Sequence, residues 1–140
     1  MRYGWLIDWR GFWQPRRLLM MTKSAELARV VAAAMWVELR RKRVAPATLV
    51  SIARERGCAR TRRTPEQRVF LQRLIALVDR CFPSGANCYR RTLVEMSLDR
   101  DAAAEPLSLG LRRGGGVGSG HAWLGSRRDP RDRYDAEFVV

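Results

Sequence analysis

Apolar residues recur every three or four positions along most of this chain, then at every second position in two stretches beyond Pro106, Leu107 to Leu111 and Tyr134 to Val140. That change of period constrains the fold more than any other feature of the sequence. A spacing of three to four lines one face of a helix, and strict alternation lines one face of a strand. The chain is therefore predicted to be α+β, with a helical N-terminal half followed by a small antiparallel sheet. Its 140 residues suffice for one domain with its own core, without disulfide or metal staples.

Local signals place the elements. Ser24 can cap a first helix that runs to Arg43, with Leu27, Val30, Val31, Ala34 and Val37 on its inner face. The run Arg40-Arg41-Lys42-Arg43 suits the negative end of that helix. Pro46 opens a second helix through about Arg56, with Gly57 as its stop and Cys58 in the loop beyond. Thr64-Pro65-Glu66-Gln67 combines an N-cap, a first-turn proline and a capping-box glutamine. The helix it starts should reach about Phe82, burying Phe70, Leu71, Leu74, Ile75, Val78 and Cys81. Pro83-Ser84-Gly85 then breaks the chain, and Asn87 caps a buried helix from Cys88 to about Leu98. After a connection from Asp99 to Glu105, three strands are expected, around Leu107–Arg112, His121–Leu124 and Tyr134–Val140, joined as a meander. Gly114-Gly115-Gly116 reads as a hairpin turn, since no helix or P-loop lysine follows it.

Charge and cysteine usage narrow the classes. Twenty-seven basic against fourteen acidic residues give a formal net charge of +13, and only Lys23 and Lys42 are lysines. Arginine in this excess forms either a solvated basic surface or a phosphate-binding face. Residues 1–23 form a Trp/Arg-rich arm ahead of a domain over 24–140, with Trp5, Leu6, Ile7, Trp9, Phe12 and Trp13 among arginines. Such an arm suits a membrane interface or a partner, and equally a segment whose aromatics pack onto the domain. No run reaches the roughly 18 uninterrupted apolar residues of a membrane span. Three cysteines, without a secretory signal, point to free thiols and a cytoplasmic setting. A zinc site of these cysteines and His121 can be written down, but no C-x-x-C pair seeds it.

The chemistry-bearing residues are Cys88 and the only histidine, His121. A cysteine at the first position of a helix faces the positive end of the dipole, where a thiolate is stabilised. An imidazole on a downstream strand could serve as its base, and a carboxylate on the neighbouring strand could orient the imidazole. Asp135 is the candidate for that third role; Asp129 and Asp132 fall in the preceding turn and are less firmly held. The backbone N–H of Cys88 is a first oxyanion donor. The plain alternative is a small buried residue and a strand histidine that do not meet. Cys58 reads as an incidental thiol and Cys81 as core.

The segments Asn87-Cys88-Tyr89-Arg90-Arg91-Thr92-Leu93, Leu107-Ser108-Leu109-Gly110-Leu111-Arg112 and His121-Ala122-Trp123-Leu124 resemble the transglutaminase-like B proteins of lasso peptide biosynthesis. In that family a C-x-x-R-[ST]-L helix, an L-x-x-G-V-R-like strand and an H-A-W strand follow in this order. The resemblance implies a transglutaminase-like (papain-like) core and a cysteine peptidase with Cys88 as nucleophile, His121 as base and Asp135 as third member. It implies removal of the leader from a ribosomally made precursor peptide, ahead of an asparagine-synthetase-like cyclase. With no room for a recognition domain, the chain is expected to be a split form served by a separate precursor-recognition protein. No cofactor is evident, although ATP is associated with the maturation complex. The alternatives are another transglutaminase-like acyl transfer or amidase activity, and an arginine-rich module for nucleic acid or membrane without catalysis.

Overall fold

A computed structural model describes residues 14–112, 120–127 and 134–140. The Trp-rich residues 1–13, the glycine run 114–116, Asp129 and Asp132 lie outside these. The described chain is α+β, in the order α1 (Gln14–Arg40), α2 (Pro46–Cys58), α3 (Pro65–Arg80), α4 (Cys88–Leu98), α5 (Arg100–Ala104), β1 (Leu107–Leu111), β2 (Gly120–Leu124) and β3 (Ala136–Val139).

Helix α4 is the centre of the molecule, packed against α1, α2, α3, α5 and β2. Every residue from Thr92 to Leu98 is buried, so α4 is enclosed on all sides after its first turn, with the polar Thr92, Glu95 and Ser97 hydrogen-bonded. Leu93 and Met96 are fully enclosed, and each such side chain contributes about 1.5–3 kcal/mol relative to exposure. The remaining core comes from one stripe of each neighbour: Val30, Ala33, Ala34 and Val37 of α1, Leu49, Val50 and Ala53 of α2, and Leu71, Ile75 and Val78 of α3.

Several expectations need correction. Helix α1 starts at Gln14 rather than at a Ser24 cap, with Pro15 in its first turn, where proline is tolerated. Its buried stripe is 30, 33, 34 and 37, so Leu27 and Val31 are exposed. Gly57 does not stop α2: it is a buried residue inside that helix. A Cβ there would overlap Met96 O of α4 and lie 2.6 Å from Ala103 Cβ of α5, so the missing side chain permits close packing. Cys81 is not core but exposed, one residue past the end of α3. The connection after α4 contains α5, whose N-cap Asp99 accepts a hydrogen bond from Asp101 N. The capping box at Thr64 and Gln67 is formed as the sequence indicates.

The strands also connect differently. Their order is β2-β1-β3, antiparallel throughout, and not a meander. Packing of α4 against β2 accompanies pairing of β3 along the opposite edge of β1. Arg54 fastens this end of the fold, donating to the carbonyls of Ala103, Glu105 and Val140 at 3.1–3.3 Å.

Candidate active site

The start of α4 is held by a buried ion-pair network. Asp79, in the last turn of α3, accepts Asn87 N at 2.9 Å through Oδ2 and Arg90 Nε at 2.6 Å through Oδ1. Arg90 is 1% exposed. It also donates to Glu38, Ser84 Oγ and Gly85 O, and its guanidinium lies 4.1 Å over the Phe82 ring. One arginine therefore ties α1, α3 and the 82–87 loop together. Arg41 and Arg90 beside Glu38 hold its carboxyl down at about 2. Asn87 then caps α4 as expected, its Oδ1 accepting Arg90 N at 3.0 Å.

Cys88 thus enters the first position of an eleven-residue helix at a fixed point. Its Sγ lies against the outer edge of β2, where Ala122 N donates to it at 3.3 Å and Gly120 O accepts from it at 3.9 Å. Thr92 Oγ1 reinforces the contact, its one proton shared between Cys88 O at 2.8 Å within the helix and Ala122 O at 3.4 Å across to the strand. These hydrogen bonds join the Cys88 turn directly to the strand carrying His121.

Cys88 and His121 open onto the same cleft of about 310 Å³. From α4 it is lined by Cys88, Arg91, Thr92 and Glu95, the i, i+3, i+4, i+7 stripe of one helix face. Gln72 and Ile75 come from α3, His121 to Leu124 from β2, and Arg127 from the turn after it. The buried Glu95 carboxylate accepts Gln72 Nε2 at 3.0 Å and Arg127 Nη1, and this hydrogen bond raises the Arg127 pKa. Among the described residues no hydrogen bond joins Cys88 Sγ to the imidazole; the two share the cleft.

Asp135 does not face His121 across a strand pair. It precedes β3, is exposed, and its N–H donates to Leu111 O at 2.9 Å. With β1 between β2 and β3, the residue opposite His121 is Gly110, and the residue opposite Gly110 on the far side is Glu137. The gap over Gly110 is filled by an aromatic ring: a Cβ there would lie 2.5 Å from Tyr134 Cγ. Tyr134 is parallel to the imidazole within 3° at 6.4 Å and lies 5.1 Å from Trp123, whose ring is 6.0 Å from His121. The side chains flanking His121 are aromatic.

Sequence reasoning singled out Cys88 and His121 and missed Gln72, Glu95, Arg127 and Tyr134 as their surroundings. Glu95 was within reach, since it shares the helix face of Cys88 two turns on; the others depend on tertiary register. Cys58 and Cys81 are exposed and apart from the cleft. Among the described residues no group of three His, Cys, Asp or Glu side chains could hold a metal, and no helix is long and apolar enough to cross a membrane. No protein-family model matches the chain, and no curated protein or solved structure matches it either.

Proposed function

We propose that the protein is a cysteine peptidase of transglutaminase-like type that removes the leader of a ribosomally made precursor during lasso peptide maturation. One observation carries the reading: a cysteine at the capped start of the central helix shares a cleft with the chain's single histidine. In the proposed reaction His121 takes the Cys88 proton, and Sγ attacks the scissile carbonyl to form a thioester. His121 then protonates the departing amine, and water releases the acyl half. The backbone N–H of Cys88 is the candidate oxyanion donor, and Ala122 N–H, which donates to Sγ, is the neighbouring backbone donor that could join it. Asp135 enters as the carboxylate that the family resemblance nominates. β1 separates it from β2, and the rings of Tyr134 and Trp123 flank the imidazole at 6.4 and 6.0 Å. A separate recognition protein and the cyclase are the partners this role requires.

The test is leader release from a lasso precursor, followed by mass spectrometry with the recognition protein present. Cys88→Ala and His121→Ala should each abolish it, whatever the salt concentration. Leader release undiminished in Cys88→Ala would overturn the reading. An acyl transfer other than hydrolysis would instead yield a Cys88-dependent product joined to an added amine. A basic binding module would retain nucleic-acid or membrane affinity in Cys88→Ala and lose it steeply with salt.

A further inference from the structure

Two neighbouring arginines at the start of α4 have opposite surroundings. Arg90 is buried and held by Asp79, Glu38, Ser84 and Gly85. Arg91 is exposed and lines the cleft one helical turn from Cys88. Its own i+4 position is Glu95, the residue that would ordinarily pair with it along the helix. That carboxylate is already taken, one oxygen by Gln72 and the other by Arg127. Among the described residues Arg91 has no side-chain hydrogen bond or ion pair, and Glu95 is the only carboxylate lining the cleft. Arg127 therefore neutralises Glu95, and the positive charge beside the thiol is left to Arg91.

We propose that Arg91 binds a carboxylate on the peptide substrate, beside the bond that Cys88 attacks. The inference rests on Cys88 being the nucleophile and names the class of substrate the cleft selects, a peptide with an acidic group next to the scissile bond. A guanidinium fork matches a carboxylate geometrically, and the helix face of Cys88 directs that fork into the cleft. The carboxylate could belong to an acidic side chain or to a peptide C-terminus, and both present the same group to Arg91.

Three small alkylating probes test this on the whole chain: N-iodoacetyl-glutamine amide, which is neutral, N-iodoacetyl-glutamic acid α-amide, with a side-chain carboxylate, and N-iodoacetyl-glutamine, with a terminal one. In each, the thiolate sulfur bonds to the methylene carbon and iodide leaves. Rates at all three cysteines are read by peptide mass, and the anionic-to-neutral ratio at Cys58 and Cys81 supplies the baseline set by the overall charge. The ratio at Cys88 should exceed that baseline about two- to fivefold, the range of an exposed ion pair. Arg91→Gln should return it to baseline, and Arg91→Lys should keep part of it. Salt near 1 M, where the screening length is about 3 Å, should flatten it. Whichever anionic probe shows the excess identifies the side-chain or the terminal source. A Cys88 ratio at baseline, or an excess that persists in Arg91→Gln, overturns this inference and leaves the nucleophile in place. A Cys88 that reacts with no probe while Cys58 and Cys81 do overturns the nucleophile, and this inference with it.

Discussion

Gly110 shows how one missing side chain organises the histidine. The Tyr134 ring occupies the space a Cβ would need and from there lies parallel to His121. Gly110→Ala should therefore displace the ring and cost about 1–3 kcal/mol, as overpacking does. In a Tyr134→Ala background the same change should cost much less, and urea denaturation of the four proteins in that cycle measures the difference. Additive costs would mean that the ring does not depend on Gly110. Arg90 makes the opposite case, a large charge enclosed because every donor finds a partner. Arg90→Met leaves Asp79 buried without its cation, which should cost about 3–5 kcal/mol. Arg90→Lys should recover little of this in the same measurement, since an ammonium cannot reproduce the fork. The Asn87–Cys88 start was legible in the sequence because capping is local chemistry between residues three apart. The contacts of Gly110 and Arg90 were not, because they depend on which strand or helix arrives alongside.

Among the elements, α2 packs directly on the α4 backbone at Gly57. Gly57→Ala would press a methyl group into Met96 O, a backbone atom that cannot turn aside. Although alanine favours helix by up to about 1 kcal/mol, the clash should win and lower Tm. A rise in Tm would show that the two helices have room to separate. The helix starts at Pro46, Thr64 and Asn87 were readable from their caps and prolines, and β1 and β3 from their alternation. The start of α1 was misplaced because Ser24 is a good cap in isolation but lies within a helix already under way. The position of β3 was misplaced because alternation specifies a strand's faces and says nothing about which edge it joins. That one error put Asp135 beside His121, when it lies on the far side of β1.

For the whole molecule, the same network that positions Cys88 also links stability to acid. Glu38 has an ordinary pKa of 4.5 and a folded one of about 2, held down by Arg41 and Arg90. A carboxyl with a depressed folded pKa stabilises fully above 4.5, and that contribution is lost as pH falls toward 2. Stability by chemical denaturation should decline across this window, and Glu38→Gln should be less stable above it with a shallower decline within it. Parallel profiles for the two proteins would remove Glu38 from the account. The central claim, that Cys88 and His121 act as one site, is tested most directly by iodoacetamide alkylation at pH 6, resolved by peptide mass for all three cysteines. Cys88 should react faster than the exposed Cys58 and Cys81 despite being less accessible, and His121→Ala should slow Cys88 alone. Equal rates at the three thiols, or a Cys88 rate that ignores His121→Ala, would contradict the account.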